Sequence, residues 1–347
     1  LSGKEDIGDI KEILVNQKAK MFKEYIDNMR NKEKLNSIPL AELEKTEAAE
    51  VKVKTGTVVD EIIDGGIPEG KSVLFYGEYR SGKTQTCITM AVTCPDWVIY
   101  IDPEKSLRIS RIKSMCEARK LDWAKVRDKI IYYRPKNWIE QMNVINSLPA
   151  PSDINGKVGL IICDSISKLF RGVEFLGRET LQVKNGLIRE FMLALEQVAD
   201  LHKAALVYTT QIYDSPAASG YPQAKSEMQK PVGGRSAEHQ PDFILFFKKA
   251  TGNIRIVEMV DSSYTPLAER AFVINEKGID NLPPESKAAK SLEERSKDFA
   301  KKQSQENVKP VKKRKKGEPI TEGEEEETEE TTEETPQEEK TEGQPQQ

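Results

Sequence analysis

Gly77-Glu78-Tyr79-Arg80-Ser81-Gly82-Lys83-Thr84 follows the apolar run SVLFY at 72–76 and leads into a helical stretch over roughly 83–93. It matches G-x-x-x-x-G-K closed by Ser or Thr, placed after a strand and before a helix as the chemistry requires. Glycines let such a loop curl so that successive N–H groups face phosphate oxygens, and the helix N-terminus adds its partial positive charge. Lys83 is spaced to reach the β- and γ-phosphates, and the Thr84 hydroxyl to ligate Mg2+. A glycine-rich turn without a ligand is the bland alternative, and the strand–loop–helix context argues against it. The reading is a P-loop that binds ATP and Mg2+, with Gly77 through Gln85 as the nucleotide-contacting residues.

Working outward, short β-branched runs recur at 98–102 (VIYID), 129–133 (KIIYY), 158–163 (VGLIIC) and 205–210 (ALVYTT). They are apolar on both faces, as strands are in a parallel sheet covered by helices. Helical stretches fall between them at roughly 83–93, 106–119, 138–147 and 180–202. DFILFFKK (242–249), the turn Thr251-Gly252-Asn253 and IRIVEMV (254–260) read as an antiparallel hairpin, and AFVIN (271–275) as one more strand. The expected fold class is α/β: a mainly parallel sheet with helices on both faces and an antiparallel C-terminal extension.

Two further strand ends extend the site. Leu160-Ile161-Ile162-Cys163-Asp164 carries an aspartate to the carboxyl edge of the sheet, where it can hold magnesium through water; a helix cap is the other use of such a residue. YIDPE gives Asp102 and Glu104, and Glu104 is the candidate to orient and deprotonate an attacking water. Gln211, after ALVYTT, is placed to contact the γ-phosphate.

The chain of 347 residues has a formal charge of −4. From Glu318 to Gln347 there are 13 Glu and one Lys, so that tail carries −12 and residues 1–317 carry +8. A basic body suits a polyanionic partner, although modest excesses of Lys and Arg also occur on ordinary surfaces. Cys87, Cys94, Cys116 and Cys163 lack C-x-x-C spacing and read as buried reduced thiols. Two histidines, His202 and His239, make a histidine-based metal cage or triad a poor reading. No apolar stretch approaches the ~18 residues that span a bilayer, and no signal peptide is read before the fold. The expectation is an intracellular, cytoplasmic and nucleoid-associated protein with no membrane partner; a nuclear setting stays open.

Residues 4–35 space Ile7, Ile10, Leu14, Phe22, Tyr25, Ile26 and Met29 as one or two amphipathic helices, and Asn36 to Val51 read as a linker. The domain expectation is a helical segment and linker over 1–50, an ATPase domain over 51–283 and a disordered charged tail over 284–347, with a fraying helix around 286–304.

The order of motifs resembles the RecA superfamily, and within it the archaeal RadA and eukaryotic recombinase branch. KTGTVVDEIIDGGIPEGKSVLFYGEYRSGKTQ, YIDPEKSLRISRI, LIICDSISKLFR, PVGG at 231–234 and DSSYTPLAERAFVINEKGI at 261–279 carry the likeness, over about residues 53–280. The resemblance implies a RecA-type core that oligomerises with ATP between neighbours and binds DNA. By position it implies that Glu104 is the hydrolytic glutamate and Gln211 the γ-phosphate sensor. Arg111 would lie against adenine, and Asp261 and Pro266 would cap the ATP of an adjacent subunit. DNA-facing loops map to Phe175–Gln182, with Arg178, and to Ile212–Pro231, with Lys225 and Lys230; Arg235 follows the paired glycines. A solvated surface loop is the other reading of either segment. The implied partners are single-stranded DNA, with double-stranded DNA open, and either further copies of this chain or a principal recombinase.

The chain also departs from the family's pattern. No helix-hairpin-helix module is visible in residues 1–50, and Ile38-Pro39-Leu40-Ala41 is a weak substitute for the Phe-x-x-Ala docking segment. Thr210 stands where the branch usually has Asn, and Arg235 where it usually has His. These departures point to a recombinase paralog. A KaiC-like regulatory ATPase that switches protein partners without acting on DNA is the competing function. The acidic tail reads either as a competitor of DNA for the basic body or as a solubility tail.

Overall fold

The computed structural model describes residues 39–41, 44, 50–172, 179–214, 229–262, 265–282 and 286. Most of the N-terminal segment and all but one residue of the tail expected over 284–347 lie outside them. The chain runs β1 (Lys52–Val53), α1 (Val59–Ile62), β2 (Ile67–Pro68), β3 (Ser72–Gly77), α2 (Lys83–Thr93), β4 (Trp97–Ile101), α3 (Ile109–Arg119), α4 (Trp123–Asp128) and β5 (Ile130–Tyr133). It continues through α5 (Trp138–Ser147), β6 (Val158–Asp164), α6 (Glu179–His202), β7 (Ala205–Thr209), β8 (Ile212–Asp214), β9 (Gln229–Pro231) and α7 (Arg235–His239). The meander β10 (Phe243–Lys249), β11 (Ile254–Ser262), β12 (Glu269–Asn275) and β13 (Gly278–Asn281) completes it.

Among the described residues, nine strands form one sheet in the order β13-β12-β11-β10-β3-β7-β6-β4-β5. The pairings from β10 across to β5 are parallel and those from β10 to β13 antiparallel. Strand β10 therefore belongs to both halves: it opens the expected hairpin and also extends the parallel core beside β3.

The period of two along each strand divides its side chains between two cores. Val73 and Phe75 of β3, Val98 and Tyr100 of β4, and Leu245 and Phe247 of β10 pack with Cys87, Ile88 and Met90 of α2 and Met115 of α3. Leu74, Tyr76, Ile99, Ile161, Leu206 and Phe246 point the other way, onto Ile188, Phe191, Met192 and Leu195 of α6. Each fully buried Phe, Leu, Ile or Val side chain contributes about 1.5–3 kcal/mol relative to exposure, so both faces hold the strand ends in place. The four cysteines are free and buried, as the sequence led us to expect.

Candidate nucleotide-binding site

Parallel strands carry their following loops to one edge of the sheet, and here β3, β4, β6 and β7 deliver Lys83, Thr84, Glu104, Asp164 and Gln211 to one cleft of about 350 Å³. Residues 79–85, Glu104, Asp164, Thr210 and Gln211 line it, joined by Ser165, Thr209 and Arg255. A second depression of about 460 Å³, beside Arg119 and Lys277, gathers none of them.

The loop from β3 to α2 depends on its glycines. Gly77 has φ +145° and Gly82 φ +108°. A Cβ on Gly77 would lie 2.2 Å from the Phe247 carbonyl oxygen, and one on Gly82 2.9 Å from the tip of the Phe272 ring. Only glycine fits either position. The Lys83 ammonium donates to the carbonyl oxygens of Gly77 at 2.8 Å and Glu78 at 3.0 Å, so it lies across the loop mouth. Desolvation by burial pulls its pKa down to about 8, against the opposing pull of the Asp164 and Glu104 carboxylates. An anion in the cleft would give this desolvated ammonium a charge partner.

Asp164 ends β6 fully buried. Its carboxylate accepts from the Thr209 hydroxyl, its register partner on β7, from the Thr84 hydroxyl, and from Tyr100 Oη at 3.4 Å. Burial raises its pKa, and the Thr209 and Thr84 bonds work against that rise. Among the described residues no three His, Cys, Asp or Glu side chains gather as a metal cage. Thr84 and Asp164 instead present adjacent hard oxygens, a donor set that fits Mg2+, which keeps several waters and takes few protein ligands.

Glu104 sits in the turn after β4, and one of its carboxylate oxygens accepts from Ser165 Oγ at 2.8 Å and from Gln211 Nε2 at 3.5 Å. Its neighbour Asp102 is used otherwise. It accepts from the Ser106 N–H at 3.0 Å, the Leu107 N–H at 2.9 Å and Tyr132 Oη at 2.9 Å, bonds that shape the turn and leave Glu104 to face the cleft. Gln211 is held at its other end, where Arg171 donates to its side-chain oxygen. Its backbone carbonyl accepts from Val232 N at 2.8 Å, and Thr210 Oγ1 donates to the Val232 carbonyl at 2.9 Å. The strand end that carries Gln211 is thus tied to the segment after β9.

Of the remaining predicted residues, those among the described ones do not line the cleft. Arg111 on α3 donates to Gln85 Oε1 at 2.9 Å and to the Asn275 carbonyl at 2.5 Å, beside the loop helix but outside the cleft lining. Asp261 pairs with Ile244, which pairs with Leu74, three residues short of Gly77, or about 10 Å along the strand. Neither Asp261 nor Pro266 lines this chain's own cleft. Lys230 on β9 is ion-paired with Glu238 at 2.9 Å, and Arg235 is exposed at the start of α7. Arg178 and Lys225 fall outside the described residues.

Sequence reasoning missed Ser165, Thr209, Arg171 and Arg255. Ser165 directly follows Asp164 and was open to inspection. Thr209 becomes visible only with the β6–β7 register, and Arg255 only with the meander folded beside the loop.

Comparison with known proteins adds an independent line. A family model described as Rad51 matches residues 46–282. Over 240 residues the chain is 31% identical to the "DNA repair and recombination protein RadA" of Cenarchaeum symbiosum, covering 66% of this chain and 58% of that protein. It is 31% identical over 239 residues to the "DNA repair protein RAD51" of Mycosarcoma maydis, covering 66% and 69%. It is 31% identical over 245 residues to the "DNA repair protein RAD51 homolog B" of Zea mays, covering 67% and 70%. The chain thus matches less than two thirds of the length of the archaeal relative.

Proposed function

On the premise that this chain belongs to the Rad51 family of the RecA superfamily, we propose that it is an ATP-binding, DNA-dependent ATPase of homologous recombination and repair. The observation that carries the reading is the convergence of Lys83, Thr84, Asp164, Glu104 and Gln211 on one cleft from four different strand ends. Backbone amides at the start of α2 and the Lys83 ammonium bind the phosphates. Thr84 and Asp164 would hold Mg2+, which when bound supplies charge that offsets the β- and γ-phosphate oxygens. Glu104, steadied by Ser165, orients the attacking water and accepts its proton; Gln211 registers the γ-phosphate through its own amide.

Arg111 is the proposed adenine contact, supported by its bond to Gln85 at the loop helix. Asp261 and Pro266 are proposed to cap ATP on an adjacent copy, a role that suits their distance from this chain's own cleft. DNA contacts are assigned to Arg178, Lys225, Lys230 and Arg235. Lys230 would have to exchange Glu238 for a backbone phosphate, since either anion forms a charge-assisted bond with the ammonium. The names of the relatives, which concern DNA repair and recombination, support this partner class. The departures at Thr210 and Arg235 support a paralog that assists a principal recombinase. The ATPase body is taken as residues 51–283.

The test is steady-state ATP hydrolysis with Mg2+, with and without single-stranded DNA, over a salt series. Stimulation that fades as salt rises is expected, because phosphate contacts release counterions. Hydrolysis indifferent to DNA at every salt concentration would overturn the DNA-dependent reading.

A further inference from the structure

Within the phosphate loop, Arg80 is the one residue besides glycine that adopts positive φ, at +62°. An L-residue is strained there and stays only when its surroundings fix it. Its own side chain does not supply the restraint: it is exposed, with the guanidinium carbon 5.3 Å from the centroid of the exposed Tyr79 ring. The restraint comes from 175 residues further along the chain. Arg255, at the start of β11, donates from Nε to the Arg80 carbonyl oxygen at 3.1 Å. The same guanidinium is fixed in turn, because its Nη1 donates to the carbonyl oxygens of Gly252 and Ile254, each at 2.8 Å. The Arg255 stem and the ring of Phe272, its ladder partner on β12, both lie against Gly82.

We propose that Arg255 is a positioning residue for nucleotide binding, which acts by holding the Arg80–Ser81 peptide with its carbonyl turned outward from the phosphate cradle. In that orientation the Ser81 N–H closes a turn onto the Glu78 carbonyl at 3.2 Å, which leaves the first amides of α2, having no acceptor within the helix, for an anion. A flipped peptide would open that turn and aim a carbonyl oxygen at the phosphate oxygens, two acceptors with no proton between them. The inference rests on the reading of this cleft as the nucleotide site and adds to it a residue that sequence pattern alone does not reveal.

The experiment is a double-mutant cycle read by calorimetric affinity for ATP with Mg2+: the unaltered chain, Arg255→Met, Arg80→Gly and the two together. Methionine keeps an apolar stem beneath Gly82 and removes the guanidinium. In the Arg80 background, Arg255→Met should weaken binding about tenfold. With glycine at position 80, which reaches positive φ without strain, the same change should weaken it less than about threefold. An equal loss in both backgrounds would overturn the proposal, since it would mean that the guanidinium acts on phosphate by its charge. No loss in either would overturn it too. Circular-dichroism melts without nucleotide establish that each variant is folded. Should Arg255→Met not fold, Arg255→Lys gives the same comparison, because it keeps the charge and loses the forked donors. If the unaltered chain takes up no ATP, the nucleotide-site reading itself fails; if it binds and the cycle shows no coupling, only the role of Arg255 fails.

Discussion

Replacing Gly77 with alanine asks whether the loop's first glycine is there for backbone reasons. Gly77 has φ +145°, a region essentially reserved for glycine, and occupying it with a side chain costs about 1–3 kcal/mol. The new Cβ would also stand 2.2 Å from the Phe247 carbonyl oxygen and 3.0 Å from the Phe247 carbonyl carbon and nitrogen. These are backbone atoms of the paired strand, which cannot swing aside as a side-chain tip can, so β3 and β10 must part locally. Overpacking of that kind costs about a further 1–3 kcal/mol. In a body of this size each kcal/mol lowers the melting temperature by about 2–4 °C, so the combined cost of about 2–6 kcal/mol should make Gly77→Ala melt roughly 4–24 °C lower. Gly252 provides the control. It also has positive φ, +61°, but an added Cβ would meet nothing within 4 Å. Gly252→Ala should therefore show only the conformational part, about 1–2 kcal/mol or roughly 2–8 °C. Thermal denaturation of both variants without nucleotide, followed by far-ultraviolet circular dichroism, makes the comparison. Melting temperatures for the two variants within 2 °C of each other would refute the argument from contact.

Glu104→Gln should keep ATP affinity and reduce turnover by about 10²–10⁴-fold, measured as phosphate release beside a binding titration. Thr209→Val removes a hydroxyl that donates to the buried Asp164 carboxylate and should destabilise the chain by about 1–3 kcal/mol, read from the denaturant midpoint. Burial raises all four thiols, Cys94 to about 11. A thiolate-selective reagent at pH 7 should therefore label the native chain slowly and reach four thiols after unfolding, counted by absorbance.

Legibility followed physical range. The loop was readable because glycine, lysine and threonine act there through local spacing, and Asp164 because a strand's end puts its last side chain at the sheet edge. The apolar runs marked β3, β4, β6 and β7 to within a residue or two at each end, since both faces of these strands are buried and no charged residue interrupts them. Pairs such as β1–β2 and β8–β9, two and three residues long, are too short to show a period. Helix α4 went unread although Asp122 caps it, its side chain accepting from Ala124 N at 2.9 Å; six residues give too little periodicity to outweigh a loop. Strand order was beyond reach, and with it everything that depends on register: the Asp164–Thr209 pair, the second role of β10, and the approach of Arg255 and Phe272 to the loop. Asp102 and Glu104 look alike as strand-end carboxylates. Hydrogen bonds to Asp102 from the next turn are what leave Glu104 as the one that faces the cleft.

The central claim is that Gly77 to Thr84, with the Lys83 ammonium, grip a triphosphate at the sheet's carboxyl edge. Its most direct test is calorimetric titration of ATP and Mg2+ into the unaltered chain and into Lys83→Ala, with melts to establish that both are folded. The account predicts saturable binding in the first and its loss in the second. No binding in the first, or equal binding in both, would contradict it.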